Sequence, residues 1–237
     1  MSKTRYELPD ILRGLALINM IIYHACWDLR YLFGFDMPWY DGVGAYVWQQ
    51  CICHTFILLS GFCVRFGKNP LKRGVLVLIS SVIVSIGASV AGTTIKFGVL
   101  TLLGCGMCMA AVCNKWASRI PPVFGAAGSL TLFLCLRHIT RGAVLGVSLP
   151  AWLYANDFTA LLGFPPAGFH SSDYFPLLPW LFLFWCGYFL HGLFVQKGWM
   201  KYLHCGRFKL LGWLGRHSLY IYMLHQPLTY GILMLIL

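Results

Sequence analysis

The first apolar segment carries three ionisable side chains whose spacing places them on one face of a helix. Eleven residues separate Arg13 from His24, which is nearly three helical turns, so the two side chains lie about 16 Å apart along the same face. Asp28 follows one turn later on that face. Ionisable groups are costly in a helix that spans a membrane, and by default they mark a functional site.

The chemistry that suits these three residue types is proton transfer next to an anion. A histidine can act as a general base at neutral pH, and we expect Asp28 to accept a hydrogen bond from one ring nitrogen of His24 and so fix its tautomer. Arg13 can hold a phosphate through two parallel hydrogen bonds. The alternative is a neutral His24 that is buried against a neighbouring helix and has no catalytic role.

A basic loop follows the second apolar segment and contains Arg65, Lys68, Lys72 and Arg73. Such a loop is typical of the cytoplasmic side of a membrane protein, where positive charge sets the orientation. The same charges would also attract an anionic ligand. Arg216, which precedes the last apolar segment, is a further candidate for anion binding.

Two later stretches offer polar groups that could bind a second ligand. One precedes the sixth apolar segment, where Pro176 and Pro179 favour a rigid helix start. The other is the last apolar segment, in which two histidines stand about 80° apart around a helix. Five polar residues of these stretches are expected to line the outer half of a cavity: Asp173, His217, Ser218, His225 and Gln226.

The elements that must position these residues are membrane helices. Hydrophobic residues make up 59% of the chain and charged residues 11%, whereas soluble domains carry about 25% charged residues. Segments of about 20 apolar residues can cross a bilayer, and seven are present: 11–31, 45–66, 75–95, 97–114, 122–137, 176–195 and 217–237. Residues 139–155 are expected to be re-entrant, interfacial or an eighth span. We therefore predict an all-α polytopic membrane helix bundle, a single domain over residues 1–237 with no cleavable signal peptide.

The basic residues predict the orientation of this bundle. With the N-terminus in the cytoplasm, fourteen of the 18 lysines and arginines lie on the cytoplasmic side, which agrees with the positive-inside rule. Five of the seven acidic residues lie on the opposite side. Membrane orientation thus explains the net charge of +11, and we expect no nucleic-acid partner.

The ten cysteines indicate neither a disulfide framework nor a metal centre. Most of them fall in apolar segments, where cysteine behaves as a small hydrophobic residue. Cys51, Cys53 and His54 could ligate a soft metal, but ligands this close on one helix do not complete a site. We expect no bound metal; a redox or metal protein is the alternative that bound iron or copper would support.

Five stretches of the chain occur in the order typical of one family. They are Leu12–Ala16 with His24, Trp27 and Asp28, then Leu59–Phe62, Phe97–Leu100, Asp173–Trp180 and Gly215–Pro227. Over about residues 5–232 the chain resembles the prokaryotic relatives of the heparan-α-glucosaminide N-acetyltransferase catalytic domain. The spacing of Arg13 and His24 also resembles the signature of the broader transmembrane acyltransferases that modify surface glycans.

The resemblance implies a membrane enzyme that takes an acyl group from cytosolic acyl-CoA and passes it to an acceptor reached from the other side. It also implies that Arg13 and His24 are the essential pair. We therefore predict acetyl transfer from acetyl-CoA to an amine or hydroxyl of a sugar- or glycan-type acceptor, in a prokaryotic plasma membrane, with His24 as general base. The phosphates of acetyl-CoA are expected to contact some of Arg13, Arg65, Lys68, Lys72, Arg73 and Arg216.

Two alternatives stay open at this point. Within the enzyme, a covalent acetyl-histidine intermediate at His24 could replace direct transfer. The alternative function is a lipid or sugar transporter or flippase, in which the polar face of the first helix lines a permeation route and no acyl-CoA is consumed. No carboxylate lies in the middle of a predicted span, so an ion-coupled relay lacks its usual residues.

Overall fold

The computed structural model describes residues 6–237, and the structure is mostly helical (74%). Lys3 and Arg5, two of the predicted cytoplasmic cations, lie outside the described residues. Nine α-helices occur in the described part of the chain. They are α1 (Glu7–Trp27), α2 (Val43–Cys63), α3 (Pro70–Val90), α4 (Val99–Ala117), α5 (Pro122–Cys135), α6 (Asp157–Leu162), α7 (Leu177–Gln196), α8 (Lys209–Arg216) and α9 (Ser218–Ile236).

Each of the seven predicted spans coincides with one of these helices, namely α1 to α5, α7 and α9. The largest difference is at α3, which begins at Pro70 rather than at residue 75. Proline is favoured in the first turn of a helix because its missing N–H is not needed there. The helix therefore includes Lys72 and Arg73 in its first turn, and the basic loop is shorter than predicted.

Six helical stretches between residues 6 and 237 are long and apolar enough to cross a membrane: Val43–Phe66, Pro70–Val90, Val99–Ala117, Pro122–Arg141, Leu177–Gln196 and Ser218–Ile236. The predicted count of seven or eight is therefore not confirmed. Helix α1 has 21 residues and is about 32 Å long, but Asp10, Arg13, Asn19 and His24 make it more polar than the six. The predicted cytoplasmic N-terminus stays a prediction.

The region predicted as a re-entrant segment or eighth span does not form a long helix. Residues 139–155 contain two short 3₁₀ turns and a hairpin of β1 (Ala143–Val144) and β2 (Val147–Ser148). Gly142 and Gly146 have positive φ angles, which glycine adopts without steric cost, and Pro150 follows the second strand. An eighth span through this region is thus wrong.

The chain divides into two compact units. The terminal unit comprises the residues up to Phe56 together with Gly198–Leu237, and the central unit comprises Ile57–Lys197. Each unit is described by itself below. The expectation of a single domain over the whole chain stays a prediction.

In the terminal unit, α1 packs against α8 and α9. Two glycines make the α1–α8 contact possible: a Cβ on Gly14 would lie 2.1 Å from the carbonyl oxygen of Leu211, and one on Gly215 would lie 1.8 Å from that of Asp10. Any larger residue would push the helices apart. Next to this contact, Leu17, Met20 and Ile52 form a buried apolar cluster.

In the central unit, α3 packs against α4, and α5 against α7. The outer loop between α6 and α7 is held by hydrogen bonds to neighbouring segments. The hydroxyl of Tyr174 donates to the carbonyl of Ala160 at 2.6 Å, and the Phe175 N–H donates to the carbonyl of Phe97 at 2.9 Å. These two hydrogen bonds hold the segment that precedes α7 against Ala160 and Phe97.

Candidate active site

Helices α1 and α9 bring two histidines together inside the terminal unit. The ring centroids of His24 and His225 are 4.9 Å apart, and the rings meet edge to face at 60°. His24 is half-buried, and His225 is 7% exposed. The sequence places these residues 201 positions apart, and the packing of α1 on α9 makes them neighbours.

One turn further along α1, Asp28 forms the second contact with α9. The side-chain amide of Gln226 donates a hydrogen bond from Nε2 to Asp28 Oδ1 at 2.6 Å. Asp28 is fully buried and begins a short π-helical turn, Asp28–Leu32. Such turns interrupt α-helices mainly at functional sites, and this one sets where the carboxylate lies.

His225 has a defined tautomer in this arrangement. Its Nδ1 lies at hydrogen-bond distance from the carbonyl oxygen of Tyr222, so Nδ1 must carry the proton. In the neutral ring, Nε2 then keeps a lone pair and can only accept a hydrogen bond. His225 Nε2 is buried and has no hydrogen-bond partner among the described residues.

Three buried side-chain atoms between residues 6 and 237 lack a hydrogen-bond partner, and all three belong to this cluster: Asp28 Oδ2, His225 Nε2 and Gln226 Oε1. Each of these atoms is a hydrogen-bond acceptor. A buried polar group without a partner costs about 1–3 kcal/mol, so native proteins rarely retain several in one place. The cluster therefore presents three acceptor atoms on neighbouring side chains.

The expected hydrogen bond between Asp28 and His24 is not present among the described residues. The two side chains share one face of α1, as predicted, but the Asp28 carboxylate bonds to Gln226 instead. An amide nitrogen is a good donor to a carboxylate, and α9 supplies it at the right height. The neighbour of His24 is His225.

Arg13 lies at the other end of α1, where its guanidinium contacts the Asp10 carboxylate at 3.5 Å. Helix α8 runs alongside, with Gly215 against Asp10, so Arg216 belongs to the same end of the unit and is exposed. Arg13 and Arg216 thus form one basic group. It lies about 16 Å along α1 from His24.

His217 and Ser218 are not brought together with His225 and Gln226. They lie at the start of α9, about 12 Å along the helix from His225 and next to the glycine contact of α8. His217 Nδ1 lies 2.9 Å from the carbonyl oxygen of Trp213, and the two rings stack at 4.5 Å. Of the five predicted acceptor residues, only His225 and Gln226 adjoin His24 and Asp28.

In the central unit, the four predicted cations surround the short link between α2 and α3. Arg65 places its guanidinium over the ring of Tyr188 at 4.9 Å, and the Tyr188 hydroxyl donates to Asn114 Oδ1 at 2.6 Å. The acidic residues of Ile57–Lys197 are Asp157 and Asp173; Asp157 begins α6, and Asp173 lies in the loop before α7. The basic end of this unit therefore has no carboxylate of its own.

Asp173 holds the start of α4. Its Oδ2 accepts a hydrogen bond from the Val99 N–H at 3.0 Å, and the absence of a side chain at Gly98 allows this approach. Burial raises the pKa of Asp173 to about 6, although the Val99 N–H favours the ionised form. Asp173 therefore caps the start of α4, and its predicted contact with the acceptor stays a prediction.

Several polar residues of the central unit were missed by the sequence analysis. His191 is 7% exposed, and its Nδ1 lies 3.1 Å from the carbonyl oxygen of Phe62; Tyr188 and Asn114 form the pair under Arg65. The signal that could have found His191 is a single histidine in the otherwise apolar α7. In the described part of the chain no group of three or more metal-ligating side chains occurs.

Comparison with known proteins gives one family. The model of the catalytic domain of heparan-alpha-glucosaminide N-acetyltransferase matches residues 5–227. No curated protein and no solved structure matches the chain. The match includes His24 and His225, and also Asp28 and Gln226, which hydrogen-bond to each other.

Proposed function

The chain belongs to the heparan-alpha-glucosaminide N-acetyltransferase catalytic-domain family, and we propose that it transfers an acetyl group from acetyl-CoA to a primary amine, with His24 as the general base. The observation that carries this proposal is the set of open acceptor atoms beside His24. The acceptor molecule is proposed to be an amino sugar or an amino-bearing glycan.

The three open atoms favour an amine over a hydroxyl. A primary ammonium has three N–H donors, whereas a hydroxyl has one. Asp28 Oδ2, His225 Nε2 and Gln226 Oε1 offer three acceptors, and the Asp28 carboxylate adds a compensating negative charge. We assign these three residues to binding the amine and leave the proton transfer to His24.

The chemical step balances in the following way. The ammonium exchanges one of its three hydrogen bonds for one to His24, which takes that proton, and the amine nitrogen then attacks the carbonyl carbon of the thioester. The carbon–sulfur bond breaks, the nitrogen gives its second proton to the departing thiolate of CoA as the amide forms, and His24 releases its proton to solvent. A positioned general base typically contributes about 10² to 10⁴ in rate.

Each unit offers one basic group for the phosphates of acetyl-CoA. In the terminal unit it consists of Arg13 and Arg216; the Asp10 carboxylate offsets part of the charge of Arg13. In the central unit it consists of Arg65, Lys68, Lys72 and Arg73. We propose that some of these cations bind the phosphates; within the central group, Tyr188 orients the guanidinium of Arg65.

The test uses detergent-purified protein and radiolabelled acetyl-CoA with two sugars. Glucosamine presents a free amine, and N-acetylglucosamine has the same ring and hydroxyls with the amine blocked. We expect a labelled amide from glucosamine alone, and no product from the His24→Ala variant. The matched control is His170→Ala, because His170 is an exposed loop residue outside the cluster.

Label on the hydroxyls of both sugars would overturn the amine assignment. Label retained on the protein without acceptor, and absent from His24→Ala, would indicate an acetyl-histidine intermediate in place of direct transfer. Folded wild-type protein that turns over no acetyl-CoA with either sugar would contradict the proposed acetyl transfer to amino sugars. That result would favour the transporter.

A further inference from the structure

A groove lies between the end of α3 and the start of α4, within the central unit. Its cavity volume is about 660 Å³, which is in the range of small-molecule sites. The groove is at the opposite end of α3 from the basic residues and plays no part in the proposed acetyl transfer. The residues that line it are Ser81, Val82, Ser85, Ile86, Ser89, Val90, Ile95, Lys96, Phe97 and Thr101.

The walls of the groove are apolar and exposed. Val82 is 58% exposed, Ile86 is 60% exposed and Val90 is 86% exposed, and all three belong to a helix that is long and apolar enough to span a membrane. The medium that such a surface meets in a membrane is lipid. A groove with these walls therefore fits an acyl chain.

The floor of the groove carries hydroxyl groups. Ser81, Ser85 and Ser89 recur every fourth residue of α3 and so share one face. Ser81 Oγ lies 2.7 Å from Thr101 Oγ1, and the Ser89 hydroxyl donates to the Ser85 carbonyl at 2.9 Å. These hydroxyls give the otherwise apolar groove a polar strip, and the ester groups of a glycerolipid are the polar part of the lipid at the depth where its chains begin.

A positively and a negatively charged side chain form an ion pair at the mouth of the groove. Lys96 Nζ lies 2.8 Å from Asp157 Oδ2, and the two side chains remain 44% and 57% exposed. Each group can therefore take a further partner. A headgroup with a phosphate and an ammonium matches this pair, with the phosphate at Lys96 and the ammonium at Asp157.

The mouth is also rigid, so little ordering is required when a ligand binds. The Lys96 N–H donates to Ser171 Oγ at 2.9 Å, and the Ser171 hydroxyl donates back to the Lys96 carbonyl at 3.0 Å. The carbonyl of the next residue, Phe97, accepts the Phe175 N–H at 2.9 Å. These bonds fix the backbone that carries the lysine.

We propose that this groove binds one glycerophospholipid with an ethanolamine headgroup. The ammonium of ethanolamine donates hydrogen bonds to the Asp157 carboxylate, whereas the quaternary ammonium of choline has no N–H. A glycerol headgroup has no cation for Asp157 at all. One lipid molecule would then make three contacts. Its headgroup contacts the Lys96–Asp157 pair, its esters contact the hydroxyls, and one acyl chain contacts the apolar walls.

The experiment is native mass spectrometry of the intact protein with ethanolamine, choline and glycerol phospholipids of identical chains at equal concentration. We expect at least fivefold more retention of the ethanolamine lipid. The informative variant is the double exchange Lys96→Asp with Asp157→Lys, which keeps an ion pair but reverses its polarity. It should abolish the preference while the melting temperature stays within a few degrees of wild type.

A second variant tests the groove itself. Ser85→Leu fills the floor and should reduce retention of the ethanolamine lipid at least fivefold, whereas Ser118→Leu places the same side chain at an exposed position outside the groove and should not. Equal retention of the three lipids by wild type, or an unchanged preference in the double exchange, would overturn the proposal. Neither outcome bears on acetyl transfer.

Discussion

The two units treat buried polar groups in opposite ways. In the terminal unit, the carboxylate, imidazole and amide of Asp28, His225 and Gln226 leave three buried acceptor atoms open. In the central unit, the Tyr188 hydroxyl has its acceptor and His191 Nδ1 has its carbonyl, and no described residue there leaves a buried side-chain atom open. The comparison separates a cluster that keeps three buried acceptor atoms without a partner from a scaffold whose buried polar groups are paired; that the cluster receives a donor-rich ligand is part of the proposed function.

The two units also differ in the balance of their charged side chains. The open cluster contains a carboxylate, and five of the seven acidic residues of the chain belong to the terminal unit. The central unit has a basic end without acidic residues. The acidic side chains are therefore concentrated in the terminal unit, and the central unit is the more basic of the two.

The largest expected effect comes from exchanging one histidine in each unit. His24→Ala should lower the rate of acetyl transfer by about 10² to 10⁴, because it removes the proposed base. His191→Ala should leave the rate per folded molecule within about threefold and instead lower stability, since it empties a buried position beside Phe62 and Phe66; a loss of about 2–5 kcal/mol is typical of such cavities. Turnover and melting temperature measured on both variants separate the two roles.

Asp28→Asn should give the next largest effect. The amide can still accept the Gln226 hydrogen bond through Oδ1, but its second group becomes a donor and its charge is lost. Hydrogen bonds to charged groups are worth about 1.5–3 kcal/mol, so kcat/KM for an amine acceptor should fall about 10- to 100-fold. Melting temperature should stay or rise, because a buried charge has been removed; an unchanged kcat/KM would contradict the assignment of Asp28 to the amine.

Features of the fold and site that depend on neighbouring residues could be predicted from the sequence, whereas contacts between residues far apart in the chain could not. The seven apolar helices and the shared face of Arg13, His24 and Asp28 were predictable, because both depend on local periodicity. The partner of Asp28 was not, because Gln226 is 198 residues away and only the packing of α1 on α9 brings it close. Only the eighth-span alternative for residues 139–155 was wrong, because hydropathy cannot distinguish an apolar hairpin from a span; the re-entrant or interfacial placement stays a prediction.

The third prediction concerns the basic end of the central unit. Arg65→Ala should raise KM for acetyl-CoA about tenfold and leave kcat nearly unchanged, because the guanidinium is proposed to bind phosphate and takes no part in the reaction. The effect should shrink as salt is added, since exposed charges are screened over about 10 Å at 0.1 M. Arg119→Ala, which removes an exposed cation elsewhere on the unit, is the control; equal increases in KM would indicate general attraction only.

The smallest effect is expected at Asp173, where the structural role can be separated from acceptor binding by pH. Because burial raises the pKa of Asp173 from 3.8 to about 6, the folded protein holds a proton that the unfolded chain releases between these values. Stability therefore falls as the pH rises from about 4 to 6 and stays lower above that range. Asp173→Asn keeps an acceptor for the Val99 N–H without the buried charge, so it should raise the melting temperature by a few degrees at pH 7.5.

That increase should disappear as the pH is lowered toward 4, where the wild-type carboxyl is protonated and also uncharged. Melting curves of both proteins from pH 4 to 7.5 measure the difference directly, with Asp36→Asn as the control because Asp36 is an exposed carboxylate. A gain that is independent of pH would show that burial of charge at Asp173 is not its cause. A loss of acetyl transfer with no change in stability would instead return Asp173 to the acceptor site and would extend the binding role of the terminal unit to the central one.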